Sequence, residues 1–378
     1  MSLQALDVLA LSSVPGVGPR RLRAVAERFP DPALLQEARL CDLAAVEGMD
    51  RATAGRLALS LRPPLRETCY RYAADQLSRA RRAGARVLTL WDGDYPASLR
   101  NIYDPPPLLF AAGRLPLEDE ACIAVVGTRT PTPRGIRLAN RFAADLAQAG
   151  FVVVSGLARG VDTAAHEGTL RAGGLTLAVT GAGLDVVYPP ENRRLQERIA
   201  AEGAVLSEFP MGSGPEAAHF PRRNRIISGI SIATLVVETG VNGGAMITAA
   251  SALDQNREVF AIPSAPEGGT KSGTNTLIRQ GRAALAESVE DILEDLAPRL
   301  GRRLRVPQRA EPPTPPLNPP EQRVASLLGD EPVHVDLLAE RSGLPLPEIL
   351  AHLLSLEFKG WARQLPGKLF LLADPRIR

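Results

Sequence analysis

Lysine is nearly absent. Among 44 basic residues the lysines are Lys271, Lys359 and Lys368, and every other one is arginine. Cysteine is equally scarce. Cys41, Cys69 and Cys122 are odd in number, scattered, and form no Cys-x-x-Cys pair. That argues against a disulfide framework and a zinc site, and it suits a reducing cytoplasm. Aromatic residues make up only 4% of the chain. Net charge is only +2, from 44 Lys+Arg against 42 Asp+Glu. The molecule therefore has no global field of either sign, and any anion-binding face must be local. No apolar run reaches membrane-spanning length. The opening "MSLQALDVLALSSVPG" has no basic segment ahead of its apolar part, so it does not read as a secretory leader. The expectation is a cytoplasmic protein with no membrane partner.

What is present is globular: 378 residues, 45% hydrophobic and 23% charged. That length predicts two or three domains. Residues 1–65 read as short helices and turns. "SVPGVGPRRLRAVAERF" and "AVEGMDRATAGRLALSL" each place an apolar residue and a glycine before a turn and a helix. They resemble tandem helix-hairpin-helix units, whose turn amides hold a DNA phosphate. A small bundle that only packs fits the same pattern, so a duplex DNA contact through residues 1–65 stays open. From residue 66 to 300 the pattern alternates. The runs "CIAVVGT", "FVVVSG", "LTLAVTG", "AVLSEF", "TLVVETG" and "REVFAIP" are short and apolar, as in strands buried on both faces. Helical patterns separate them, at 134–149, 161–172, 193–201, 223–231 and 245–255. This predicts an α/β fold with a Rossmann-like, doubly wound parallel sheet. Residues 301–320, "GRRLRVPQRAEPPTPPLNPP", read as an extended linker. Residues 321–378 read as three helices and a hairpin, the order of a winged-helix domain.

In an open parallel sheet, ligands bind beyond the carboxyl ends of the strands. Arg129 follows the first strand of the alternating region, and Arg159 follows the second. Asn192 and Arg193 end the loop after the third. "HFPRRNR", with Phe220, Arg222, Arg223, Asn224 and Arg225, opens the helix after the fourth. Gly243 and Gly244 follow the fifth. Three guanidinium groups in four positions at a helix start repel one another and the helix dipole. A phosphate-binding cleft would offset that cost. The plainer alternative pairs these arginines with Asp162, Glu191, Glu208 or Glu238. Gly243 and Gly244 could cradle a phosphate or only permit a tight turn. No G-x-G-x-x-G follows the first strand, and no P-loop occurs. Asp162 and His166 supply too few ligands for a metal, and Asp162 reads more simply as an N-cap. Ser155 has no evident histidine partner. No catalytic residue, metal or cofactor is expected. The third helix of residues 321–378 offers Glu348, His352, Ser355, Glu357 and Lys359, a set ill suited to reading duplex DNA.

The ordered set "VVGTR", "VSGLARGVDTAAH", "GAGLDVVYPPEN", "LSEFP", "HFPRRNRIISGIS", "VVET" and "GTNTLIRQG" resembles the DNA-processing protein A family (DprA, also called Smf). The resemblance covers about residues 88–296, and the terminal domains match an extended architecture of the same family. It implies a non-catalytic, cofactor-free core that binds single-stranded DNA, forms a homodimer and loads a RecA-type recombinase in natural transformation. It carries the basic pocket onto Arg129, Arg159 and the Arg222–Arg225 group, with Phe220 the one aromatic candidate beside it. Pro190 stands where the family often has lysine, leaving Arg193 as its candidate substitute. The implied dimer interface falls on Leu277, Ile278, Ala284 and Leu285. There Pro263-Ser264 and "RQGRAAL" depart from the family pattern. The alternative class is a Rossmann-like enzyme that binds or hydrolyses nucleotides. It would want a Gly-Gly-x-Gly-Thr loop with a glutamate on the following helix, which "NGGAMITAA" lacks.

Overall fold

The computed structural model describes residues 3–117, 120–265, 272–300, 317–329, 331–359 and 361–372. Lys271 and most of the expected linker, residues 301–316, lie outside them. The chain divides into two compact units, Met1–Val306 and Pro307–Arg378.

The first unit opens with α1 (Ala5–Ser12), α2 (Pro19–Arg28), α3 (Pro32–Glu37), α4 (Leu40–Ala44) and α5 (Arg51–Ser60). Local chemistry sets these starts. Pro19 occupies the first turn of α2, where a missing N–H costs nothing. The Asp50 carboxylate caps α5 by accepting from Thr53 N at 2.8 Å. The long helix α6 (Leu65–Arg82) follows and packs on α1. The expected boundary at residue 65 is not a seam in the packing. One hydrophobic cluster joins Leu9, Leu22, Val25 and Leu57 of the helical region to Leu195, Ile199 and Met211 of the alternating region. Gln76 on α6 clasps Met211 through both its backbone groups.

The alternating region then runs β1 (Ala85–Thr89), α7 (Ala97–Arg100), β2 (Leu108–Gly113), β3 (Cys122–Val126), α8 (Pro133–Gln148), β4 (Val152–Ser155), α9 (Val161–Arg171), β5 (Thr176–Val179), α10 (Arg193–Glu202) and β6 (Ala204–Ser207). It continues with α11 (His219–Ile230), β7 (Ala233–Val236), α12 (Gly244–Asp254), β8 (Glu258–Ala261), α13 (Gly273–Arg279), β9 (Ala284–Leu285) and α14 (Val289–Leu300). The sheet has nine strands in the order β1-β2-β6-β5-β4-β3-β7-β8-β9. From β6 across to β9 all pairs are parallel. The chain walks outward from β3 to β6, then returns to the other side of β3 as β7. That reversal puts the topological switch point between the ends of β3 and β7.

Two expectations change here. The sheet is mixed, because β2 pairs antiparallel with both β1 and β6. The strand "LLFAAG" was hidden behind three prolines, Pro105–Pro107, which cannot donate to a ladder and read as loop. Helix α11 begins at His219 rather than Arg223. Pro221 sits in its first turn, where proline is tolerated, so the arginines lie one turn inside the helix.

The second unit contains α15 (Pro319–Ala325), β10 (Val333–His334), α16 (Val335–Ser342), α17 (Leu346–Phe358), β11 (Ala362–Leu365) and β12 (Leu369–Leu372). Its small sheet has the order β10-β12-β11, and the unit is a winged helix. Glu321 is buried and accepts from Lys359 Nζ at 2.5 Å and Ser355 Oγ at 2.7 Å. Lys359 and Ser355, the groups on α17 best suited to phosphate, are thereby turned inward. The outward stripe of α17 is Leu346, Leu350, Leu354 and Phe358. Among the described residues, no helix is long and apolar enough to cross a membrane.

Candidate nucleic-acid interface

The loops after β3 and β4 press together beside the switch point. Val161 N, at the start of α9, donates to Thr128 O at 3.2 Å. Gly160 adopts φ +80, and a Cβ there would lie 2.5 Å from Thr128 O and 2.8 Å from the Arg129 carbonyl carbon. Only glycine permits this contact. At the end of β7, Glu238 takes both the backbone N–H and the hydroxyl of Thr132, the N-cap of α8. Glu238 thus anchors the loop that carries Arg129 and does not pair with an arginine among the described residues.

Arg129 is exposed, with its guanidinium 4.7 Å from the centroid of the Phe220 ring. Tyr188 packs against the same ring, at 5.7 Å between centroids. Arg222 lies over Phe209 at 5.4 Å. Three aromatic rings, Phe220, Tyr188 and Phe209, therefore lie with these arginines, where Phe220 alone was expected. Both of the others lie in loops that follow parallel strands, Tyr188 in the loop after β5 and Phe209 just past β6, and could have been found from those places. Arg159 is exposed and makes a forked pair with Glu191, itself exposed. The guanidinium in turn holds the Glu191 carboxyl below its ordinary value. Arg193 is exposed at the first position of α10.

Glu208, just beyond β6, binds two of the α11 arginines through one oxygen. Its Oε2 is 2.5 Å from Arg225 Nη2 and 3.4 Å from Arg222 Nη2. The carboxylate is 3% exposed, Arg225 is 14% exposed, and Arg222 is 49% exposed. Oε1 of Glu208 is buried and has no hydrogen-bond partner. Arg225 also donates to Asp104 O at 2.6 Å. Of the four acids weighed from the sequence, Glu191 and Glu208 do pair with surface arginines.

Three expected site residues are structural. Arg223 is 3% exposed, and its guanidinium donates to Gly156 O at 2.5 Å and to Val179 O. A Cβ at Gly156 would fall 2.6 Å from both that guanidinium and Asp162 Oδ2, so the pair is built against a bare backbone. Burial pulls Arg223 down to about 10, and buried Asp162 opposes that fall. Burial also pushes the Asp162 carboxyl up, with Arg223 drawing it back. Asn192 is buried and donates to Leu157 O and Thr163 Oγ1. Asn224 is buried beside Arg223. Arg223 and Asn192 tie adjacent strand-end loops together beneath the rim, Asn224 accepts from Arg223, and none of the three is offered to solvent. Gly160, not Asp162, is the N-cap of α9.

His166 is fully buried. Thr176 Oγ1 donates to Val153 O and so accepts from His166 Nδ1 at 2.7 Å. That leaves Nε2 unprotonated and without a partner. Burial lowers the ring to about 3, so it stays neutral. Ser155 Oγ is likewise turned inward, donating to Val125 O. Gly243 caps α12 and Gly244 opens it. The Gly243 N–H is spent within its own turn, on Gly240 O. Among the described residues, no group of three His, Cys, Asp or Glu could hold a metal ion.

On the far side of the sheet, Leu277 is fully buried in the core and Ile278 packs partly against it. Leu277 is therefore not available to an interface. Ala284 and Leu285 remain exposed on β9, the free edge of the sheet.

Comparison with known proteins places these features. Residues 86–297 match the family described as DNA recombination-mediator protein A. Residues 308–368 match the DprA winged helix domain, and residues 8–63 match a SAM-like helix-hairpin-helix tandem. Protein Smf of Synechocystis is 35% identical, across 95% of this chain and 96% of its own. Protein Smf of Escherichia coli is 40% identical over 72% of this chain and 74% of its own. The crystal structure of DNA processing protein A from Streptococcus pneumoniae superposes with a TM-score of 0.67 at 34% identity. It covers 78% of this chain and 99% of that one. A structure of the Helicobacter pylori protein, solved for its single-stranded DNA binding mode, gives a TM-score of 0.51 at 29% identity. The match covers 57% of this chain and 96% of that one. The chain, with arginines ranged along the switch-point end of its sheet, belongs to the DNA recombination-mediator protein A (DprA/Smf) family.

Proposed function

We propose that the strand-end rim binds single-stranded DNA through its backbone. Arg129, Arg159, Arg193 and Arg222 contact phosphates, and Phe220 supplies a face for a base. The observation that carries this is the stack of Arg129 on Phe220 at the topological switch point. A cation held over an aromatic face offers charge and stacking at one spot, the combination that suits a strand whose bases are unpaired. Glu191 and Glu208 hold these arginines in the absence of an anion. A phosphate can displace the exposed Arg159–Glu191 pair at little cost, whereas buried Glu208 competes with it for Arg222. Phosphate contacts and stacking read no base edge, so sequence preference is weak. The single-stranded DNA binding mode of the Helicobacter pylori relative supports the same ligand.

Bound in this way, the protein acts as a mediator that hands the strand to a RecA-type recombinase in natural transformation. It works as a homodimer joined through the exposed β9 edge at Ala284 and Leu285. Leu277 keeps the adjoining helix in place from inside. No catalytic step is assigned to it. Ser155, Asp162 and His166, the groups a nucleotide hydrolase would draw on, are all buried and bonded inward.

A gel-shift titration with single- and double-stranded oligonucleotides tests the ligand. Single strands should bind more tightly, and Arg129→Ala should flatten the salt slope by about 0.7 for the lost phosphate. Equal binding of duplex, or an unchanged slope in Arg129→Ala, would overturn the assignment.

A further inference from the structure

The loop between α7 and β2, residues 101–107, reads "NIYDPPP". Its backbone is pinned from several sides. Ile102 is buried in the central core. Arg23, on α2, donates to Tyr103 O at 3.2 Å. Arg225, on α11, donates to Asp104 O. Tyr95 Oη donates to Pro106 O at 2.8 Å, and Leu90 N donates to Pro107 O at 3.1 Å. The three prolines are buried. Yet the Tyr103 side chain stands out from this fixed frame and is 80% exposed.

Within the first unit that exposure stands out. Trp91 is 38% exposed, and Tyr95, Phe110, Phe142, Phe151 and Phe260 are fully buried. An exposed ring on a mobile tip would need no explanation. A ring on a loop held by hydrogen bonds and prolines is preorganised, so a partner that stacks on it forfeits little conformational entropy.

Position supplies the partner's chemistry. β2 runs antiparallel to β6 with Phe110 opposite Ser207. The start of β2 therefore lies beside the end of β6, at the same end of the sheet as the arginine rim. Arg225 bridges Asp104 and Glu208, so Tyr103 is one residue from the arginine cluster. Asp104 does not repel an incoming strand as a free carboxylate would, because Arg225 lies against it. The Tyr103 backbone carbonyl is held by Arg23 of α2, in the hairpin region, and the surface of that helix carries Arg20 and Arg28.

We propose that Tyr103 is a base-stacking platform. It takes an unpaired nucleobase and leads a single strand out of the arginine pocket toward α2. The assignment rests on single-stranded DNA being the ligand of the rim, and it extends that site by a residue outside the rim's motifs. A short oligomer fills the pocket alone. A longer one reaches Tyr103.

The test uses the full chain, oligothymidylates of about 6 and about 20 nucleotides, and the variants Tyr103→Ala and Tyr103→Phe. Tyr103→Ala should weaken the longer oligomer about tenfold and leave the shorter one unchanged. Tyr103→Phe should bind both as wild type does, because stacking needs the ring and not the hydroxyl. The salt slope of Tyr103→Ala should match wild type, since no phosphate contact is lost. A 5-iodouracil-substituted long oligomer should crosslink to Tyr103 under ultraviolet light. Wild-type affinity of Tyr103→Ala for the longer oligomer, or crosslinks that map elsewhere, would overturn the platform and leave the pocket standing. Failure of Arg129→Ala to weaken either oligomer would instead overturn the pocket itself.

Discussion

Glu208 competes with the DNA it is expected to make room for, and Glu208→Gln should show this by moving stability and affinity in opposite directions. In the free protein this buried carboxylate neutralises Arg225 at 2.5 Å and Arg222 at 3.4 Å. Removing one partner of a buried pair costs about 3–5 kcal/mol. Arg225 keeps Asp104 O and some solvent, which reduces its share to about 2 kcal/mol. The half-exposed Arg222 pair adds about 0–1 kcal/mol. The variant should therefore lose roughly 2–3 kcal/mol by urea denaturation. A phosphate placed where the carboxylate charge was restores part of that loss. If half returns on binding, affinity rises about fivefold to tenfold. Freed guanidinium groups also add a phosphate contact, steepening the salt slope by about 0.7. Fluorescence anisotropy of a labelled oligothymidylate across a salt series reads both quantities. A glutamine variant that binds no more tightly, with an unchanged slope, would refute the competition. Glu208 would then serve to aim the arginines, and its loss would misplace them.

The buried pair makes a second prediction: Arg223→Met should destabilise the fold by about 3–5 kcal/mol, because Asp162 is left buried and uncompensated. Adding Asp162→Asn should recover much of that loss, and simple additivity of the two in urea denaturation would count against the pairing. His166 makes the fold acid-sensitive. Its ring titrates near 3 when folded and near 6.5 when not, so the folded state binds fewer protons. This contribution is complete above about pH 6.5 and falls by up to about 1.4 kcal/mol per pH unit as pH drops toward 3. His166→Asn should flatten that part of the stability profile; an unchanged slope would assign the sensitivity to another group. At the sheet edge, Leu285→Arg should halve the mass seen by light scattering while leaving circular dichroism unchanged. A wild-type protein that is monomeric at tens of micromolar, or a variant that stays dimeric, would refute the β9 interface.

The sheet was legible because its parallel strands are buried on both faces, and continuous apolar runs such as "FVVVSG" have few other destinations. The strand ends followed from those runs, and with them the places of Arg129 and Arg159; the switch point needed the strand order, which only the fold shows. What the sequence concealed was which way each polar group turns. Arg222, Arg223, Asn224 and Arg225 are neighbours in one helix, yet the helical period sends Arg222 outward and Arg223 and Asn224 inward. Period alone could have separated them only if the start of α11 had been known, and Pro221 disguised that start. The same limit hid β2 behind Pro105–Pro107 and made Leu277 look like surface, since an apolar residue serves a core and an interface equally well. Tyr103 was overlooked for the opposite reason. Nothing in "NIYDPPP" distinguishes an exposed ring from a buried one, and its significance comes from Arg23 and Arg225. Those residues lie far away in sequence and meet this loop only when the hairpin helices, the antiparallel edge and α11 have folded against it.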